Sequence, residues 1–139
     1  MNEGAVRGIV VAHGDMAAGL VDAVLGITGA DPSTLAAISN RGLSPAVLAD
    51  QVRTARGVGP VIVFTDLVAG SCGLIARLLS RDEADTATIC GVNLPMLLEF
   101  VTHRELPLAE LVPRLVLKAR ASIGCAPASL QPYDPAVSR

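Results

Sequence analysis

The chain has two histidines, His13 and His103, and they stand in different settings. His13 ends the stretch G-I-V-V-A-H-G, Gly8 to Gly14, where four apolar residues give way abruptly to an imidazole. Gly14 and Asp15 follow, and then a helical pattern begins. A histidine at the carboxyl end of a buried strand and ahead of a helix sits where open α/β sheets place functional groups. His103 lies on a polar, helix-like stretch and reads as a solvated residue near a helix end. Two further strand ends carry polar groups: Asp66 after Val61–Phe64, and Gly91-Val92-Asn93 after Thr86–Cys90. A carboxylate beside an imidazole accepts the hydrogen bond of one ring N–H and fixes the tautomer, leaving a lone pair on the other nitrogen. That nitrogen can attack an electrophile such as a phosphoryl group. Ala69-Gly70-Ser71 then opens a helix, whose backbone N–H groups and positive dipole end suit an anion.

Each residue alone also has a plainer reading. Asp66 and Ser71 both suit helix N-caps. Asn93, ahead of Leu94-Pro95, suits a turn. Cys72, Cys90 and Cys125 suit small apolar positions. The case for chemistry rests on the joint placement of His13, Asp66 and Ser71, with Gly14 and Gly70 beside them.

The positioning elements follow from hydrophobic periodicity. Val6 to Ala12 reads as a first strand, its continuous apolar centre typical of a strand buried on both faces. Met16 to Thr28 reads as a helix with one apolar stripe: Ala17, Leu20, Val21, Val24 and Leu25. Leu35 to Ile38 is a short second strand. Ser44 and Pro45 open a helix to Arg56, with Leu48 and Val52 on its stripe and Val47 beside them. Pro60 to Thr65 is the third strand, followed by a helix from about Ser71 to Ser80. Thr86 to Cys90 is the fourth strand and Met96 to Thr102 a helix. A last helix runs from Pro107 to about Ile123, and Pro113 is expected to kink or restart it. The tail from Gly124 to Arg139, with three prolines and Tyr133, is either a strand that pairs elsewhere or a loose end. The alternation predicts a three-layer α/β sandwich around a mostly parallel four-stranded sheet. Residues 1–124 form the domain and 125–139 the tail.

Composition excludes several functions. Net charge is −2, the aromatic fraction is 2%, and Lys118 is the only lysine; the basic stripe and stacking platforms of nucleic-acid binders are missing. Mean hydropathy is positive, yet no apolar run approaches the ~20 residues of a spanning helix. M-N-E-G-A-V-R-G lacks the character of a signal peptide. Three widely spaced cysteines read as reduced thiols of a cytoplasmic protein, not as a disulfide framework or zinc site. No metal or organic cofactor is expected. Neither G-x-G-x-x-G nor G-x-x-x-x-G-K-[ST] occurs, which disfavours a nucleotide-binding enzyme.

Three stretches resemble the mannose/fructose-type EIIA domain of the bacterial phosphoenolpyruvate-dependent sugar phosphotransferase system. They are I-V-V-A-H-G-D-M-A-A-G-L, F-T-D-L-V-A-G-S and G-V-N-L-P-M-L-L-E, in the family's order and spacing. The resemblance spans roughly residues 6 to 122, and Gly91 to Leu97 is its most specific part. It implies that His13 takes a phosphoryl group from HPr and passes it to an EIIB component, with Asp66 orienting the ring. It implies a phosphotransferase with a phosphohistidine intermediate, and a homodimer exchanging a C-terminal strand as a fifth strand of the sheet. Any membrane association would be peripheral, through EIIB, EIIC and EIID. Gly14, Gly70 and Ser71 are expected to support the phosphate, and Met16, Leu67, Val68 and Asn93 to contribute to the partner surface. The chain departs from the family's G-G-S-P-x-N by reading Ala69-Gly70-Ser71-Cys72-Gly73-Leu74. Alternative readings are a non-transport regulatory or binding module, and a phosphotransfer subunit of a dihydroxyacetone kinase.

Overall fold

Strand and helix alternate along a computed structural model of the chain, which describes residues 4–132. The strands are β1 (Arg7–Ala12), β2 (Leu35–Ser39), β3 (Val61–Thr65) and β4 (Thr86–Cys90). The helices are α1 (Met16–Thr28), α2 (Pro45–Arg56), α3 (Ser71–Asp82), α4 (Leu94–Thr102) and α5 (Leu108–Ala121). Short 3-10 turns occupy Pro32–Thr34 and Ala128–Leu130. All four strands are parallel, in the order β2-β1-β3-β4. The chain leaves β1 toward β2 on one side and returns to β3 on the other, so the strand order reverses between β1 and β3. Ligands of open α/β sheets bind outside the strand ends at such a switch point.

Side-chain alternation divides the core into two layers. Val6, Val10 and Ala12, at and beside β1, with Ile62 and Phe64 of β3, pack under α1, α4 and α5. Ile9 and Val11, with Val61 and Val63, face α2 and α3 on the opposite side. This is the expected three-layer sandwich, and both central strands are buried on both faces. Phe64 and Phe100 meet edge to face with centroids 5.3 Å apart, joining β3 to α4 in the favoured aromatic geometry.

Local signals set most boundaries. Ser44 caps α2 by accepting from the Val47 amide, with Pro45 in the first turn. Asn93 caps α4 by accepting from the Met96 amide, so α4 begins two residues earlier than the periodicity predicts. Two expectations change. Helix α5 passes through Pro113 without a break: the proline removes one backbone bond, while Leu111, Leu115 and Ala119 stay buried along the same face. Of the tail, residues 124–132 form no strand, and residues 133–139 lie outside the described part. Among the described residues no helix is long and apolar enough to cross a membrane.

Candidate functional site

The β1–β3 register brings the first two candidates together. Val11 pairs with Thr65, so the strands end side by side, with Asp66 one residue beyond Thr65 and His13 two residues beyond Val11. Asp66 Oδ2 accepts the His13 backbone N–H at 2.9 Å and lies 2.7 Å from His13 Nδ1. Its Oδ1 accepts the Leu67 amide at 2.9 Å. The Asp66 side chain is 8% exposed and that of His13 is 47% exposed. The carboxylate is thus sunk into the strand ends while the imidazole stands above it. Burial raises the Asp66 pKa, but bonds from the His13 amide and ring, and from the Leu67 amide, outweigh it, and the carboxyl sits below its ordinary value. Asp66 stays ionised at neutral pH. With a proton on Nδ1 donated to Oδ2, the lone pair belongs to Nε2.

The loop between β3 and α3 is held from several sides. Thr65 Oγ1 donates to the Leu67 carbonyl at 3.0 Å, and the Arg77 guanidinium donates to the Val68 carbonyl. Gly73 is a close-approach position: a Cβ there would stand 2.4 Å from the Val68 oxygen and 2.6 Å from the Leu67 oxygen. Gly70 caps α3 with φ 94° and ψ 176°, a region open essentially to glycine alone. A Cβ on Gly70 would lie 3.8 Å from His13 Cε1, so the opening of α3 borders the imidazole.

The remaining candidates sort clearly. Asp66 is not the cap of α3, since Gly70 holds that place. Ser71 is therefore the first residue of α3 and not its cap. Met16, Leu67 and Val68 are apolar side chains 43%, 55% and 63% exposed. Asn93 does not join them. It is half-buried, with its Oδ1 accepting from Met96 and its Nδ2 donating to the Ala119 carbonyl at 3.2 Å; its two amide ends tie α4 to α5. His103 closes α4 away from the pair, its Nδ1 2.9 Å from the Glu99 carbonyl, and it is half-buried, not fully solvated.

Two neighbours were not singled out by sequence. Arg41, from the loop after β2, bonds Asp15 at 3.1 Å, and its Nη2 would stand 3.1 Å from a Cβ on Gly14. Cys72, expected to be an inert apolar residue, is buried, yet its Sγ lies within 4.8 Å of a ligand atom of both His13 and Asp66. Burial and the Asp66 charge raise its thiol pKa, partly offset by hydrogen bonds from Ser71 and its own amide. The signal available in the sequence was its place one residue after Ser71, in the first turn of a helix opening at a strand end.

A parallel α/β domain with a His–Asp pair across its switch point defines the class. The chain belongs to the EIIA-man family, described as PTS system fructose IIA component, which matches residues 8–116. Membership makes it a phosphotransfer component of the phosphotransferase system. Among solved structures, phosphotransferase system component EIIA from Streptococcus agalactiae is 24% identical with a TM-score of 0.80, over 86% of this chain and 96% of that one. The mannose/sorbose-specific IIA subunit from Enterococcus faecalis is 25% identical with a TM-score of 0.74, over 87% and 94%. A putative phosphotransferase system permease from Klebsiella pneumoniae is 21% identical with a TM-score of 0.76, over 94% and 98%. No curated protein sequence matches the chain.

Proposed function

We propose that the chain is a phosphocarrier whose His13 Nε2 accepts a phosphoryl group from phospho-HPr and delivers it to an EIIB component. The observation that carries this reading is the 2.7 Å contact between His13 Nδ1 and Asp66 Oδ2 beneath a half-exposed ring. It commits one nitrogen to the carboxylate and presents the other outward. The Nε2 lone pair attacks phosphorus in line, the P–N bond of the donor breaks, and the Nδ1 proton remains directed at Asp66. The positive charge gained by the ring is offset by the ionised carboxylate. Backbone amides at the opening of α3, beside Gly70 and Ser71, and at Gly14 supply the anion support. Rate then depends on positioning and electrostatics, as in other phosphoryl transfers.

In this reading Met16, Leu67 and Val68 are the docking rim for both partners, and the protein works in the cytoplasm. Residues 1–124 carry the transfer, and residues 125–139 are the segment exchanged between two copies. Among the described residues β4 pairs only with β3, which leaves an outer edge for such a strand. Incubation with phosphoenolpyruvate, enzyme I and HPr, followed by intact-mass measurement, tests the central claim. One acid-labile phosphoryl group that is absent in His13→Ala is expected. An unmodified wild-type chain in the presence of its cognate HPr refutes it.

A further inference from the structure

Phosphoryl transfer has no use for a thiol at Cys72, which stands where the family pattern has proline. The fold nevertheless sets it against the reacting pair. One imidazole nitrogen of His13, one carboxylate oxygen of Asp66 and Cys72 Sγ lie within 4.8 Å of one another. We propose that these three side chains form a binding site for a borderline-soft divalent cation of the Zn2+ type, and that the bound ion blocks phosphoryl acceptance. The site itself stands on the geometry; its inhibitory consequence rests on the phosphocarrier reading.

The donor set is the first argument. Imidazole nitrogen, carboxylate oxygen and thiolate sulfur are the three side-chain ligand types of zinc, and three protein ligands with one open position are a recurrent arrangement. Geometry is the second. Zinc bonds of about 2.0–2.3 Å at tetrahedral angles separate ligand atoms by about 3.5 Å. The His13–Asp66 contact, now 2.7 Å, opens by roughly an ångström, and Cys72 Sγ, within 4.8 Å of both, closes by no more than about 1.3 Å. Side-chain torsions supply both movements. The ligands come from three fixed places: the ends of β1 and β3, and the first turn of α3. Cys72 and Asp66 form the inner wall, and the 47% exposure of the His13 side chain provides entry from solvent and the open fourth position.

Inhibition follows from counting lone pairs. A neutral imidazole has one nitrogen with a lone pair in the ring plane and one N–H. When the ion bonds Nδ1, the ring proton resides on Nε2 and the nucleophile is gone. When the ion bonds Nε2, the nucleophile is occupied directly. In either case a metal–nitrogen bond forms, the Cys72 thiol releases its proton to solvent, and the ion gives up water. Conversely, a phosphoryl group on Nε2 keeps the remaining ring proton on Nδ1, which removes the nitrogen donor. Metal and phosphoryl group therefore compete, and each weakens the other reciprocally.

The test uses the full chain, reduced, stripped with a chelator and exchanged into oxygen-free buffer. Titration with Co2+ is expected to give one equivalent of bound ion with a near-ultraviolet thiolate-to-cobalt charge-transfer band, displaced by Zn2+. The band should persist in the Cys90→Ala/Cys125→Ala protein. It should be lost, or the affinity reduced at least about tenfold, in Cys72→Ala and independently in His13→Ala, whose exposed position makes it tolerant of substitution. Phosphorylation by isolated phospho-HPr is then followed by intact mass with and without one equivalent of Zn2+. A slowing of at least about tenfold is expected in the wild type, reversed by chelator, and absent in Cys72→Ala compared with itself. No band, or a band that survives in Cys72→Ala, overturns the site. A band with undiminished phosphorylation overturns the inhibition. A band in a chain that phospho-HPr never modifies, even metal-free, supports the site and refutes the phosphocarrier reading.

Discussion

Replacing Asp66 with asparagine removes one charge and almost no volume. In the wild type Oδ2 serves both the His13 amide at 2.9 Å and His13 Nδ1 at 2.7 Å, while Oδ1 serves the Leu67 amide. Asn has one acceptor oxygen and one NH2 group. With the NH2 in the Oδ2 position the His13 amide loses its acceptor and the Nδ1 bond is reversed; with the oxygen there, the Leu67 bond is lost. If the NH2 faces Nδ1, it donates there, the ring proton moves to Nε2, and the nucleophilic lone pair disappears. If the oxygen faces Nδ1, the Leu67 amide loses its partner, and the imidazolium-like charge of the transition state is no longer balanced. Hydrogen bonds to charged groups contribute about 1.5–3 kcal/mol, and each 1.36 kcal/mol is about tenfold in rate. Asp66→Asn is therefore expected to slow phosphorylation by phospho-HPr roughly ten- to hundredfold, measured by quenched-flow and intact mass. Circular dichroism should show the variant folded. Stability has a sign that can be checked separately. The Asp66 carboxyl lies below its ordinary value, so its contribution is present above the unfolded value of about 4 and is lost as pH falls through the folded value. The difference in urea stability between wild type and variant should accordingly be largest near neutral pH and shrink toward pH ~3. A phosphorylation rate within twofold of wild type (about 0.4 kcal/mol) refutes the orienting role assigned to Asp66.

Two further outcomes test the supporting structure. Gly73→Ala drives a Cβ to within 2.4 Å of the Val68 carbonyl oxygen, and overpacking of this kind costs about 1–3 kcal/mol. A lower urea midpoint together with slower phosphorylation is expected, and an unchanged midpoint would show that the Leu67–Val68 turn gives way freely. Glu99 is held below its ordinary pKa, chiefly by its bond from Arg114 at 2.7 Å, against burial and with help from His103. Its contribution is present above the ordinary glutamate value and lost as pH falls through the folded value. Arg114→Gln should lower stability at pH ~7 and match wild type near pH ~3, whereas an equal deficit at both values would assign the loss to packing.

The sequence carries the sheet and the pair for a physical reason. Strands buried on both faces must be continuously apolar, so β1 and β3 announce themselves and their polar ends stand out. Helix stripes were legible in the same way: Leu48 and Val52 are buried on α2, though Val47 beside them is 45% exposed. Contacts between ends of different elements were not legible. Cys72, Ile75, Ala76 and Leu79 form the buried face of α3, and on that stripe a cysteine looks like any small apolar residue. Only the docking of α3 beside the ends of β1 and β3 turns its sulfur toward His13. Asn93 shows the converse. Its polarity invited a surface role, but one side chain caps α4 and bonds the Ala119 carbonyl of α5, a long-range contact that no local pattern records.

The departures between Ala69 and Leu74 are resolved by the backbone. Among the described residues Asp85 is the only non-glycine with positive φ, so Ala69 occupies ordinary space and a glycine there is dispensable. The left-handed conformation falls on Gly70, at φ 94°, and that glycine is retained. The missing proline costs the helix its preset start, yet α3 still begins here, with the Leu74 amide bonded to the Gly70 carbonyl at 3.1 Å. Leu74 replaces the family's asparagine and is 51% exposed. It presents an apolar side chain on the second turn of the helix whose opening borders His13. The substitutions therefore leave the His13–Asp66 pair and the glycine that opens α3 in place, while adding a sulfur within 4.8 Å of the pair and an exposed apolar side chain at Leu74. On the proposed phosphocarrier reading, partner choice and control, not the reacting groups, are where this chain parts from the family pattern.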